Sequence, residues 1–172
     1  MIRIFILFIG AIVYGVAQGN NIMRAEVEQK VENGYLLLDF YIQRLISTPF
    51  ALGAANFSVY LTDSSLDISG AMLDNTYASP WSSAANPQDY YPLDLKKVGN
   101  FIVVNVVTIT ASPGSGTVVP TVPTRLARVK VPITKPWGFN TLTWRVGPCA
   151  ITNWQMQDFI SQVEFVTPPP DF

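Results

Sequence analysis

The chain has 172 residues and a net charge of −1, with 49 % hydrophobic and only 13 % charged residues, about half the usual charged share of a globular domain. With no His and one Cys, it carries no Ser-His-Asp triad, no Cys-His dyad, no His-ligated metal, no internal disulfide and no thiolate cluster. A charge near zero argues against nucleic acid as a partner, which calls for a basic footprint, while 13 Pro, 11 Gly and 12 % aromatics indicate a turn-rich all-β protein.

Residues 1–17 open with Met-Ile-Arg, run through an apolar stretch from Ile4 to Val16, and end in Gly15-Val16-Ala17. A basic start, an apolar run of about a dozen residues and small residues before Gln18 fit a cleaved secretory signal peptide. An uncleaved anchor is the competing reading, although the run is short for a membrane span, which takes roughly 20 residues. Cleavage would leave 155 residues at net −2, since Arg3 is the sole charge lost. That length suits one domain, 18–167, able to bury a core without disulfides. The expected location is extracellular or at the cell surface, with no membrane span left after cleavage.

From there the pattern is period-2 almost throughout. Met23, Ala25, Val27 and Val31 share one face of a first strand, with Arg24, Glu26, Glu28, Lys30 and Glu32 on the other. Asn33-Gly34 is a strong hairpin signal. The second strand sets Leu36, Leu38, Phe40 and Ile42 inward, and a third, Asn56–Thr62, sets Phe57, Val59 and Leu61 inward. Shorter strands are expected near Leu66–Ile68 and Leu93–Lys97. Phe101–Ala111 is apolar on both faces, so it is either sandwiched in the molecule or covered by something outside it, with Ile102, Val104 and Val106 as the candidate apolar contact face. Later strands follow at Ala127–Ile133, Leu142–Val146 and about Ile160–Thr167. A single helical turn is the most that Ile151–Val163 suggests. Pro168-Pro169-Pro170-Asp171-Phe172 reads as a stiff, extended tail. About nine short strands between Gly, Pro, Asn and Ser turns give a two-sheet β-sandwich, jelly-roll or Ig-like in arrangement.

The order of these segments resembles a family. An alternating strand, Leu36–Arg44, leads to Leu52-Gly53-Ala54-Ala55-Asn56-Phe57 ahead of a strand. A long irregular insert and the apolar strand Phe101–Thr110 follow. Then come a Gly-rich hairpin, Gly114–Gly116, the segment Leu126-Ala127-Arg128-Val129, and Leu142-Thr143-Trp144. Together they resemble the cohesin-like β-sandwich modules of bacterial secreted and surface proteins, particularly those using type IX secretion. The resemblance spans roughly Ala25 to Val166 and rests on pattern. It implies a nine-stranded jelly-roll with a role in adhesion or assembly, not catalysis.

Candidate chemistry is sparse. Asp63, Asp67 and Asp74, or Asp89 and Asp94, could pair as glycosidase carboxylates, but isolated surface carboxylates are commoner. The first three match no established calcium loop, so no metal or other cofactor is expected. Trp81, Tyr90, Tyr91 and Trp137 could form a stacking platform for polysaccharide, against the alternative that aromatics fill the core. Thr117, Thr121 and Thr124 lie in a charge-free Ser/Thr/Pro/Gly stretch open to O-glycosylation or serving simply as a loop. Cys149 is read as a small buried hydrophobe. The segment 18–32 is an amphipathic edge strand that could complete its own sheet or be donated to the next subunit. The leading expectation is thus a secreted, non-enzymatic subunit that binds copies of itself in a filament or surface layer, and the alternative is a carbohydrate-binding or adhesive module.

Overall fold

The computed structural model describes residues 23–109, 116–135, 143–144, 151–153 and 163–166. Their strands are β1 (Met23–Glu32), β2 (Tyr35–Arg44), β3 (Leu52–Tyr60), β4 (Met72–Leu73), β5 (Asp94–Val98), β6 (Phe101–Val106), β7 (Thr124–Pro132), β8 (Thr143–Trp144), β9 (Ile151–Asn153) and β10 (Val163–Val166). They form two sheets, one in the order β10-β1-β2-β7-β4 and the other in the order β5-β6-β3-β8, with β9 also pairing to β3. The fold is the all-β sandwich the alternation implied.

The β1–β2 hairpin follows directly from its residues. Asn33 at φ 51° and Gly34 at φ 79° supply the two left-handed positions of a tight turn whose twist matches the strands. Ten residue pairs follow in register, from Glu32↔Tyr35 to Met23↔Arg44. That register sets Ala25 opposite Ile42 and Val27 opposite Phe40, so Met23, Ala25 and Val27 share one face with Leu38, Phe40 and Ile42, all buried. Val31, nearer the turn, is 43 % exposed. On the opposite face Asp39 is buried yet paired: Arg128 donates to both its oxygens at 2.7 and 2.6 Å, and Arg125 lies 3.5 Å away. The adjacent Lys130–Asp74 contact is 3.1 Å. This outer face therefore neutralises its charges across strands.

Four expectations change. The first strand is not an edge strand: β10 pairs with it in parallel, from Met23↔Val163 to Glu26↔Val166, so β1 is held on both sides within its own chain. Ile151–Asn153 is a strand, not a helical turn, because it pairs antiparallel with the far flank of β3. The third strand begins at Leu52, four residues before the alternation becomes visible, and near Leu66 only a single bridge to Ile133 forms.

Candidate functional site

β6 decides which surface is free. Its register with β3 pairs Ile102 with Val59, Val104 with Phe57 and Val106 with Ala55. Antiparallel partners share a face, so Ile102, Val104 and Val106 join the core and are buried. The assignment of those three as a contact face is therefore corrected: the outward side of β6 is made by the alternate residues Phe101, Val103 and Asn105. With both faces apolar, alternation alone offered no means of choosing between them.

The outer face can be built row by row. Val98 pairs with Phe101 and Phe101 with Tyr60; Lys96 pairs with Val103 and Val103 with Ser58; Asp94 pairs with Asn105 and Asn105 with Asn56. The Tyr60 and Phe101 rings lie 4.9 Å apart at 49°, a tilted pair that fixes both side chains. Val98 is 61 % exposed beside them. In the third row Asn105 Nδ2 donates to Asp94 Oδ2 at 3.2 Å, and Lys96 Nζ stands 3.1 Å from the same oxygen. Beyond β6 the ladder continues irregularly. Tyr91 N–H donates to Val107 O at 2.9 Å and Ile109 N–H to Asp89 O at 2.8 Å, bringing exposed Tyr91, Val107 and Ile109 together. The result is a flat face with an apolar patch at each end and a polar row, Asp94–Asn105–Asn56, between them.

The insert from Asp74 to Leu93 frames one end of that face, and its aromatics split. Trp81 and Tyr90 are both fully buried, which removes them as a sugar-stacking platform. The Trp81 indole donates to Thr117 O at 3.1 Å. The Tyr90 hydroxyl donates to Leu52 O at 2.7 Å and accepts from Thr117 N–H at 2.9 Å. Burial pushes the Tyr90 phenol up to about 12, reinforced by the charge of Asp89 and only partly offset by the Thr117 hydrogen bonds. These two rings are anchors that tie the insert to the 116–119 segment and to β3. Tyr91, 51 % exposed, is the one member of the proposed platform that the surface presents among the described residues; Trp137 lies outside them.

The remaining candidates sort by what holds them. Thr117 Oγ1 donates to Pro80 O at 2.8 Å and Thr124 Oγ1 to Val122 O at 3.1 Å, whereas Thr121 is exposed. Asp63, Asp67 and Asp74 each serve their own turn: Asp63 accepts from Ser65 N–H, Asp67 from Ser69 and Gly70, and Asp74 from Thr76. The Ser69 hydroxyl, helped by Gly70 N–H, holds the Asp67 carboxyl below the usual carboxylate range. No group of three His, Cys, Asp or Glu among the described residues is placed to hold a metal. A cleft of about 190 Å³ lined by Leu73, Tyr77, Ser82, Leu93 and Arg128 is smaller than the roughly 300–1,000 Å³ typical of small-molecule sites. No helix among the described residues is long and apolar enough to cross a membrane.

The architecture is similar to solved structures. One is a type I cohesin–dockerin complex from Clostridium thermocellum, at 15 % identity and a TM-score of 0.53, covering 87 % of this chain and 90 % of that one. Another is the sixth cohesin of scaffoldin B from Acetivibrio cellulolyticus, solved with a Cel5 dockerin, at 9 % identity and a TM-score of 0.54, covering 86 % and 97 %. A third is a type II cohesin–X-dockerin complex from Acetivibrio cellulolyticus, at 10 % identity and a TM-score of 0.55, covering 86 % and 96 %. No family model matches the chain, and no curated protein matches it.

Proposed function

We propose, from the cohesin-like β-sandwich fold that this chain carries, that the protein is a non-catalytic docking module acting outside the cell, whose partner is a small protein module seated on the outer face of β5-β6-β3. The observation that supports this most directly is the composition of that face. Val98, Phe101, Val103, Tyr91 and Val107 present apolar and aromatic surface in two patches, while the outer face of the other sheet is charged and internally paired. Apolar anchors flanking a hydrogen-bonding row are the ingredients of a protein interface: the patches supply desolvation energy, and the amides set register. Cohesins of this fold have been solved bound to dockerins, and a dockerin-type module is accordingly the first partner to test. Secretion rests on the basic–apolar leader at residues 1–17.

A second copy of the chain is the other occupant to test, and it would recover the self-assembling filament or surface layer. With β1 held between β2 and β10, self-association on this reading runs through the β6 face and not through donation of residues 18–32. Calorimetry against a panel of dockerin modules, with light scattering of the protein alone, separates the cases. The docking reading expects a monomer that binds at least one panel member, and at least a tenfold loss of affinity in Val103→Asp and Phe101→Ser. Concentration-dependent oligomers dispersed by the same substitutions would instead establish self-assembly. Binding to polysaccharide, unaffected by either substitution, would overturn both.

A further inference from the structure

The segment from Gly116 to Thr124 leads into β7, and its backbone is pinned on both sides of a short projecting tip. On one side Val119 N–H donates to Phe50 O at 3.0 Å, Arg44 N–H donates to Pro120 O at 2.6 Å, and Arg44 Nε donates to Val119 O at 3.1 Å. On the other side Thr124 enters β7 opposite Ile42. Between these clamps Thr121, Val122 and Pro123 are all exposed, Val122 to 63 %. Pro120 and Pro123 lack N–H donors and hold φ near −65°, and the chain bends at Thr121 and Val122, so the tip joins neither sheet as a regular strand and stays open.

The three threonines of this segment differ in what their hydroxyls do. The Thr117 hydroxyl is committed to Pro80 O and also accepts weakly from Asn86 Nδ2 at 3.4 Å. That of Thr124 is committed to Val122 O. The Thr121 hydroxyl has no hydrogen-bond partner among the described residues, and it stands between Pro120 and Pro123 where the chain bends outside both sheets. Thr48, also exposed, has proline on its C-terminal side only. An enzyme that modifies a threonine must reach its hydroxyl. The tip offers this hydroxyl without any local unfolding.

We propose that Thr121 is the acceptor of an O-linked sugar. The donor is a sugar joined through its anomeric carbon to a phosphate. Thr121 Oγ1 forms the new bond to that carbon, the carbon–oxygen bond to phosphate breaks, and phosphate leaves with the electron pair. The hydroxyl proton passes to a base of the transferase, and nothing is oxidised or reduced. This inference stands apart from the docking face, which uses none of these residues.

The test is intact-mass measurement of the full chain produced in its own host, followed by fragmentation that preserves glycosidic bonds. The expected result is an added mass of whole sugar residues on the wild type, localised to Thr121, retained in Thr121→Ser and in Thr124→Val, and lost in Thr121→Val. Because the side chain is exposed, Thr121→Val should keep the wild-type melting temperature, so loss of the adduct cannot be laid to misfolding. An unmodified wild-type chain, an adduct that survives in Thr121→Val, or one mapped to Thr48, Thr117 or Thr124 would overturn the assignment.

Discussion

Tyr90 offers the sharpest test of how the insert is held. Replacing it with Phe preserves the ring, and hence the core packing, while deleting one oxygen that donates to Leu52 O and accepts from Thr117 N–H. The ring is fully buried, so the Leu52 carbonyl and the Thr117 amide are both left without that partner. Each orphaned buried group costs about 1–3 kcal/mol, and the Thr117 end, being half-buried, recovers part of its loss from water. The expected destabilisation of Tyr90→Phe is about 2–4 kcal/mol, equivalent to a fall in Tm of about 6–12 °C for a domain of this size. The pH dependence gives an independent reading of the same group. Because the folded-state phenol is pushed up to about 12 from an unfolded value near 10, the native state keeps a proton that the unfolded chain releases. Stability from this source is fully present below pH 10 and declines as pH rises towards 12, by about 2–3 kcal/mol at most. Urea unfolding of wild type and Tyr90→Phe at pH 7, repeated between pH 9 and 11.5, measures both effects, with Tyr91→Phe as an exposed control. A Tyr90→Phe chain within 0.5 kcal/mol of wild type, or one with an unchanged alkaline decline, would refute the reasoning.

Three further outcomes follow from the packing. Ile102→Ala should cost about 3 kcal/mol in urea unfolding because it opens a cavity in the core, whereas Val103→Ala, one residue on but on the outer face, should cost well under 1 kcal/mol; equal costs would mean the two faces of β6 are misassigned. Arg128→Ala removes two hydrogen bonds from the buried Asp39 carboxylate and leaves, among the described residues, the longer Arg125 contact, so a loss of about 2–3 kcal/mol is expected, largely relieved when Asp39→Asn is added in a double-mutant cycle. Gly34→Ala meets open space but a φ of +79°, so a cost of about 1–2 kcal/mol by thermal melting should come from backbone conformation alone.

What the residues determined by themselves is local and periodic. The β1–β2 hairpin was legible because Asn33-Gly34 selects one turn type, and the turn then fixes the register of every pair beyond it. The inward faces of β2 and β3 and the sandwich class follow from alternation, since one wrong register step would turn Phe40 or Phe57 into solvent. Three things depended on contacts distant in sequence, and no pattern encodes those. Phe101–Val106 is apolar on both sides, and only its pairing with β3 says which side is core. The Trp81 and Tyr90 rings carry no periodicity, and only their packing in the core and their hydrogen bonds to Thr117 and Leu52 place them inside. The first strand looks like a free edge until β10, more than 130 residues later, closes beside it. The low charge noted at the outset belongs partly to this geometry: a sandwich of this size needs two apolar inner faces, and here the outer side of β6 carries apolar patches as well. Composition could register that surplus, but only the tertiary structure located it.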